Sequence, residues 1–194
     1  MGMSNPWIGD AISFLMIIFL QSTLDPVIYF IVAYALLPFF IFCWLIAFTD
    51  LLYPKRQKLI LTLFLIFTAI FEIHFFIVLF TDPSSMGIFV GVFRIRWSLF
   101  MEIYFSLLIL TAIISGIMFA RVSIKSHNPE VSLKGKLILA AFISFTVAAV
   151  IETFGHLDPL TVVITRSILI SSSIEFYLGF ILPRRIRNFF LKEE

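Results

Sequence analysis

The sequence predicts an all-α polytopic membrane protein of the cell membrane, a single domain over residues 1–194. Six transmembrane helices form three consecutive hairpins, with both termini cytoplasmic. Two observations carry the class, and a third the topology. Of the 194 residues, 61% are hydrophobic and 13% charged, with mean hydropathy +1.08, against about 45–50% apolar and 25% charged in soluble domains. Apolar runs long enough to cross a hydrocarbon core of about 30 Å recur along the chain, separated by turns built on Asp-Pro. The stretches 50–58 and 119–136 and the tail after Pro183 hold eleven of the fourteen Lys and Arg residues, whereas the turns 21–26, 81–87 and 154–159 hold none. Basic residues stay on the cytoplasmic side, so the first set faces the cytoplasm and the second faces outward.

The elements follow in order. Ile8–Leu24 is the first span; its seventeen residues reach only about 26 Å as a helix, and Asp10 interrupts them. Asp25-Pro26 turns the chain and opens a second span to about Thr49, with Pro26 at the first helical turn, where its missing N–H does no harm. Pro38 falls inside that span and removes a backbone hydrogen bond, which predicts a kink and a freed carbonyl satisfied by a neighbouring group. Lys55, Arg56 and Lys58 close the hairpin. Leu59–Phe80 is the third span, about 33 Å long. Asp82-Pro-Ser-Ser-Met-Gly87 reads as a turn. Ile88–Arg96 is apolar enough to begin the next helix, but Arg94 and Arg96 suit the interface better, so the fourth span is placed at Trp97–Ala120. Arg121–Lys136, with Asn128-Pro129 and Gly135, reads as a long exposed polar loop. The fifth and sixth spans are Leu137–Thr153 and Pro159–Leu182. With 25 Phe and eight Gly, the helices are expected to present bulky surfaces, and close glycine contacts are not expected to be the main packing device.

Several functions are excluded. A net charge of +2, with cations clustered at segment ends, does not suit a nucleic-acid partner. Cys43 is the one cysteine, so neither an intramolecular disulfide nor a cysteine-based zinc site can form. No Gly-x-Ser-x-Gly, His-Glu-x-x-His, P-loop or dinucleotide fingerprint occurs, so no cofactor and no standard enzymatic activity is expected.

The informative residues are the charges inside the apolar runs, each costing roughly 2.5–3.5 kcal/mol at mid-bilayer if left ionised. Measured from the outer ends of their spans, Glu72 lies about 12 Å deep, His74 about 9 Å, Glu102 about 8 Å and Arg166 about 10 Å. Tyr34 falls near this depth, and Glu152 and His156 lie above it, four residues apart. These seven residues are the candidate ligand-binding layer. Arg166 is too far along its helix from Glu175 to pair with it, so the expected partner is Glu72 or Glu102 on another helix. Glu175 lies nearer the cytoplasmic end, beside the hydroxyls of Ser171, Ser172 and Ser173. Glu72 and His74 diverge on a helix, which argues against a metal centre.

In outline the chain resembles the multi-span input regions that precede kinase domains, which implies a sensory or signalling module whose output passes to a partner. It is also similar in size, span count and outer polar layer to the binding components of vitamin-uptake systems, whose motor is supplied by separate proteins. That second resemblance implies a small-solute or ion transporter subunit, although the Ala-x-x-x-Ala contact expected on the first helix of such components is absent. Expected partners are the lipid bilayer, a protein partner or second copy, and a small solute or ion.

Overall fold

The computed structural model describes residues 5–91, 94–155 and 158–191. The chain forms two compact units, Met1–Leu108 and Ile109–Glu194. Five helical stretches are long and apolar enough to cross a membrane: Pro26–Leu52, Pro54–Thr81, Leu99–Ile124, Pro129–Phe154 and Pro159–Ile181. The multi-pass helical class read from composition is therefore present in the fold.

The first unit begins with α1, Pro6–Leu20. At fifteen residues it is about 22 Å long, and it is not among the five. The helix expected to run on to Leu24 stops because Gln21 adopts a left-handed conformation, φ 50°, and donates its N–H back to Ile17 O. The second span is broken where Pro38 predicts it, into α2, Pro26–Tyr34, and α3, Leu37–Leu52. The Asn5 side chain, 5% exposed, fills the break by donating to Val32 O at 3.0 Å and Ala33 O at 2.8 Å. Beside it, Gly9 lies against the Ala33 methyl and the Tyr29 ring. An Asn near the chain start thus supplies donors that the proline-broken helix cannot.

Next come α4, Gln57–Thr81, and α5, Leu99–Ile124. Between them lies an antiparallel hairpin that the sequence reading assigned to no element: β1, Gly87–Gly91, and β2, Arg94–Trp97, pairing Gly87 with Trp97 and Phe89 with Ile95. Its residues alternate. Phe89 and Trp97 share one face and pack on α2, with ring centroids 5.7 and 6.0 Å from Phe30, and Phe89 at 39% keeps less surface exposed than Ile88 at 50% and Val90 at 56%. The period of two, together with the aromatic anchor on α2, decides for strand over an early start to the helix. On α4 the buried stripe is Phe64, Thr68, Phe71, Phe75 and Leu79, and Phe71 stacks on both Phe100 and Tyr104 of α5. The first unit is packed by aromatic rings.

The second unit comprises the rest of α5 with α6, Pro129–Phe154, α7, Pro159–Ile181, and α8, Arg184–Phe190. The expected loop 121–136 is mostly helix. Helix α5 continues to Ile124, and Asn128 caps α6 by accepting from the Glu130 N–H at 2.9 Å, with Pro129 in the first turn. Gly135, read as exposed, is buried: a Cβ there would meet the Ile124 N at 2.7 Å. A Cβ at Gly179 of α7 would meet Ile138 Cγ1 at 2.6 Å. Contrary to expectation, close approach at small residues is the packing device of this unit. On α7 the fully buried Thr165, Ser172 and Gly179 recur every seven residues, and on α6 Ala141 and Ala148 do the same. Ser172 Oγ donates to Ala141 O across this seam at 3.0 Å.

The three Asp-Pro turns serve their local helices. Asp25 accepts from the Val27 N–H at 2.9 Å, Asp158 from the Thr161 N–H at 2.7 Å, and Asp82 from the Ser84 N–H at 3.2 Å. The Ser84 hydroxyl, with that of Ser85, also holds the exposed Asp82 carboxyl below the usual carboxylate range. These are ordinary caps with proline at the first helical position.

Replacing Asn5 with Ala removes the donors to two carbonyls in a dry setting. Asn5→Ala is expected to lower stability by about 1–3 kcal/mol, read as the unfolding midpoint of the purified protein in detergent, while Asn5→Asp, which keeps size but loses the donors, should cost at least as much.

Candidate functional site

The candidate residues divide between the two units. In the first, Glu72 of α4 is half-buried, and its Oε1 is buried with no hydrogen-bond partner among the described residues. Tyr104 of α5 is 3% exposed, and its hydroxyl is likewise buried without a partner. The two groups lie within electrostatic reach of each other. The Tyr104 ring is fixed by stacking on Phe71 and by Phe67, 5.8 Å away between centroids. Each helix therefore carries a buried oxygen with no hydrogen-bond partner among the described residues, and the phenol's ring is held by aromatic neighbours. Buried polar groups in that state are costly and rare.

His74 is exposed and rests its ring against Phe100, centroids 4.1 Å apart. It diverges from Glu72 as their spacing requires. Glu102 is half-buried, and its side chain has no partner among the described residues. No hydrogen bond or ion pair among the described residues joins Glu72, His74 and Glu102, so the first unit brings together Glu72 and Tyr104 and not the expected trio.

Tyr34 belongs to a different cluster. It sits among Trp97 and Phe105, at 5.1 and 5.2 Å between centroids, and is hydrogen-bonded to Tyr29. The Tyr29 hydroxyl donates to Asp10 Oδ1 at 2.6 Å. Asp10, which the sequence presented only as an interruption of the first span, is thus satisfied by a tyrosine pair on α2. Tyr29 and Tyr104 carried no signal as members of a polar group, because a tyrosine in an apolar run looks like any other aromatic.

In the second unit, Arg166 Nη1 lies 2.8 Å from Glu152 Oε1, with the side chains 29% and 16% exposed. This corrects the expected pairing with Glu72 or Glu102. Helices α6 and α7 are joined by the short connection at residues 155–158, and the long guanidinium stem reaches back about one turn toward that closed end. His156 lies outside the described residues, so the expected pairing of Glu152 and His156 on one face is not addressed. Nearer the other end of α7, the Ser171 hydroxyl donates to Glu175 Oε1 at 2.9 Å, as the serine cluster suggested, and Oε2 is buried without a partner.

Comparison of the chain with protein-family models, with curated proteins and with solved structures finds no match in any of the three. The chemistry of these groups is therefore the basis for a functional reading. A half-buried arginine–glutamate pair at the closed end of a hairpin is a clamp between two helices. A carboxyl within electrostatic reach of a phenol, each with a buried oxygen that has no hydrogen-bond partner among the described residues, leaves polar capacity that a charged or hydrogen-bonding occupant would satisfy.

The clamp is testable by a double-mutant cycle. Arg166→Leu and Glu152→Gln should each lower the melting temperature, and the double variant should lose less than the sum. The expected coupling energy is about 0.5–3 kcal/mol, whereas Arg166→Leu combined with Glu72→Gln should be additive.

Proposed function

We propose that the protein is a ligand-binding or sensory module of the cell membrane that takes a small cation, a metal ion or a protonated amine, between Glu72 and Tyr104 and works with a protein partner or a second copy of itself. The observation that carries this reading is the pair of buried oxygens without a hydrogen-bond partner among the described residues, with the Tyr104 ring held by the stacked Phe71. A carboxylate and a phenol oxygen are both acceptors for a hard cation or an ammonium, and aromatic faces favour positive charge. His74 and Glu102, on the same two helices, are then outer residues that shape approach to the site. The partner enters because the chain carries no enzymatic motif through which it would itself signal.

The topology we propose puts the basic stretches at 54–58 and 121–136 and the tail after Pro183 in the cytoplasm, with the β1–β2 hairpin and the turns at Asp25 and Asp158 on the opposite face. Five passes satisfy this arrangement. Six passes with both termini cytoplasmic would need α1 as the first arm of an antiparallel hairpin, which would set Asn5 beside about residue 41. Asn5 instead binds Val32 and Ala33, which supports α1 as a short helix docked on the outer half of α2, with the chain start on the outer face. An epitope tag joined ahead of Met1 through a flexible linker should then be reached by an antibody added outside, and a cysteine at Ser85 should react with an impermeant reagent added there, while one at Ser126 should not. A tag reached only after the membrane is permeabilised, beside reaction of Ser85→Cys from outside, would restore the six-pass arrangement.

A specific observation also favours a second reading, transport of the same cation: the α2–α3 span is discontinuous, with backbone carbonyls at the break held by a side chain. Broken spans of this kind line substrate paths in transporters. Uptake of the stabilising cation by proteoliposomes separates transport from sensing.

The binding site itself is tested by melting the purified protein against a panel of alkali and alkaline-earth cations and small amines. A bound cation at a hundred times its Kd should add about 2.7 kcal/mol of stability. Glu72→Gln and Tyr104→Phe should remove the shift, and Arg166→Leu should keep it. If no compound raises the melting temperature, or if Glu72→Gln responds like the parent protein, the site reading fails.

A further inference from the structure

The second unit carries a cleft with a different chemistry. It measures about 470 Å³ and is lined by Ser132, Leu133, Lys136 and Leu137 of α6 and by Phe190 and Leu191 at the end of α8. Lys136 is exposed and has no ion-pair partner among the described residues. Around the cleft, Glu130 is shared by Lys134 at 3.2 Å and Arg187 at 3.8 Å. Arg184 and Arg185 of α8 are exposed, and neither has a partner among the described residues. The described part of this end of the unit therefore sets five cations, Lys134, Lys136, Arg184, Arg185 and Arg187, against the single carboxylate of Glu130. An anion would complete it.

The surroundings decide which kind of anion. Helix α7 ends at Ile181, Leu182 turns in a left-handed conformation, and α8 starts at Arg184. A seven-residue helix begun so close to the end of a membrane span has about 10 Å of length and stays at the interface. Phe189 and Phe190 are 76% and 55% exposed, beside a row of arginines. Aromatic rings next to basic residues in a short helix at the bilayer edge match a surface that sits among lipid headgroups with its rings in the acyl boundary. The cleft has the same two characters, a cation at Lys136 and apolar walls at Leu133, Leu137 and Phe190.

We propose that this cleft binds an anionic phospholipid of the adjoining leaflet, with the lipid phosphate on Lys136 and the first acyl carbons along Leu133 and Leu137. The exposed arginines of α8 hold the headgroup region from the other side, and the lipid joins the α8 tail to the α6 start. Because α8 follows α7 directly, occupancy of the cleft sets the position of the chain's basic tail. This site is separate from the Glu72–Tyr104 pair and stands or falls without it.

The test uses the full chain in nanodiscs of equal phosphatidylglycerol and phosphatidylcholine, with lipids retained by the protein counted by native mass spectrometry. The parent protein should retain phosphatidylglycerol in excess. Lys136→Gln should lower that excess about fivefold, the effect of one cation near a charged lipid surface, and Arg184→Gln with Arg185→Gln should lower it further. Leu137→Trp, which fills the cleft without changing charge, should lower it too; if that variant fails to fold, Leu133→Phe serves the same purpose. Lys55→Gln, in the other basic turn, should leave the ratio unchanged. Equal retention of the two lipids by the parent protein overturns the proposal. So does a loss with Lys55→Gln as large as that with Lys136→Gln, which would mean a diffuse attraction of any basic turn, or full retention when the cleft is filled.

Discussion

A bilayer interior contains no water to hydrogen-bond a backbone group, so every amide and carbonyl in the spans must find its partner within the protein. That constraint explains most of the polar side chains in this chain. Thr49, Thr68, Ser115, Thr146, Thr153, Thr165 and Ser173 each return a hydroxyl to a carbonyl of their own helix. Where proline breaks the second span, the donors come from Asn5, far away in sequence. Against this background of satisfied groups, three buried oxygens without a hydrogen-bond partner among the described residues stand out: Glu72 Oε1, Tyr104 OH and Glu175 Oε2. Their exceptional state makes them candidates for function, since a protein that satisfies a broken helix from a distant asparagine has the means to satisfy a carboxylate as well.

The two units meet the packing problem in opposite ways. In the first, large flat rings fill the space between helices, and the β1–β2 hairpin is held by the same means, with Phe89 and Trp97 on the aromatic face of α2. In the second, small residues seven apart let α6 and α7 approach until Gly179 has no room for a side chain and a serine hydroxyl bonds the neighbouring backbone. Lipid tails are as apolar as the side chains they would replace, so helices associate through contact quality and polar bonds, and both flat rings and small-residue seams supply it. Rings also fix side-chain positions firmly. The Tyr104 ring is held in this way by Phe67 and Phe71.

The charges described within the apolar helices differ in their partners. Arg166 pairs with Glu152 near a hairpin turn, Asp10 accepts from Tyr29, Glu175 accepts from Ser171, and the side chains of Glu72 and Glu102 have no hydrogen-bond partner among the described residues. Sequence spacing identified Arg166 and Glu72 as residues in need of partners, because ionised groups in hydrocarbon are costly wherever the chain goes. It pointed to Glu72 or Glu102 as the partner of Arg166 and passed over Glu152, since depth along a span says nothing about which face of a helix meets which neighbour.

By itself the sequence determined the class, through its apolar runs; it also located the break at Pro38, the Asp-Pro caps and the serine bonded to Glu175. Each of these rests on local chemistry, on a missing N–H, a carboxylate beside free amides or a hydroxyl one turn from an acid. The tertiary structure alone decided the rest. Only it showed that Gly87–Gly91 pairs with Arg94–Trp97, that α1 docks on α2, that Gly135 lies against α5 and Gly179 against α6, and that Tyr104 comes within electrostatic reach of Glu72. These depend on contacts between residues far apart in sequence, whose free energy is a property of shapes meeting in space and leaves no periodic or compositional trace in either partner alone.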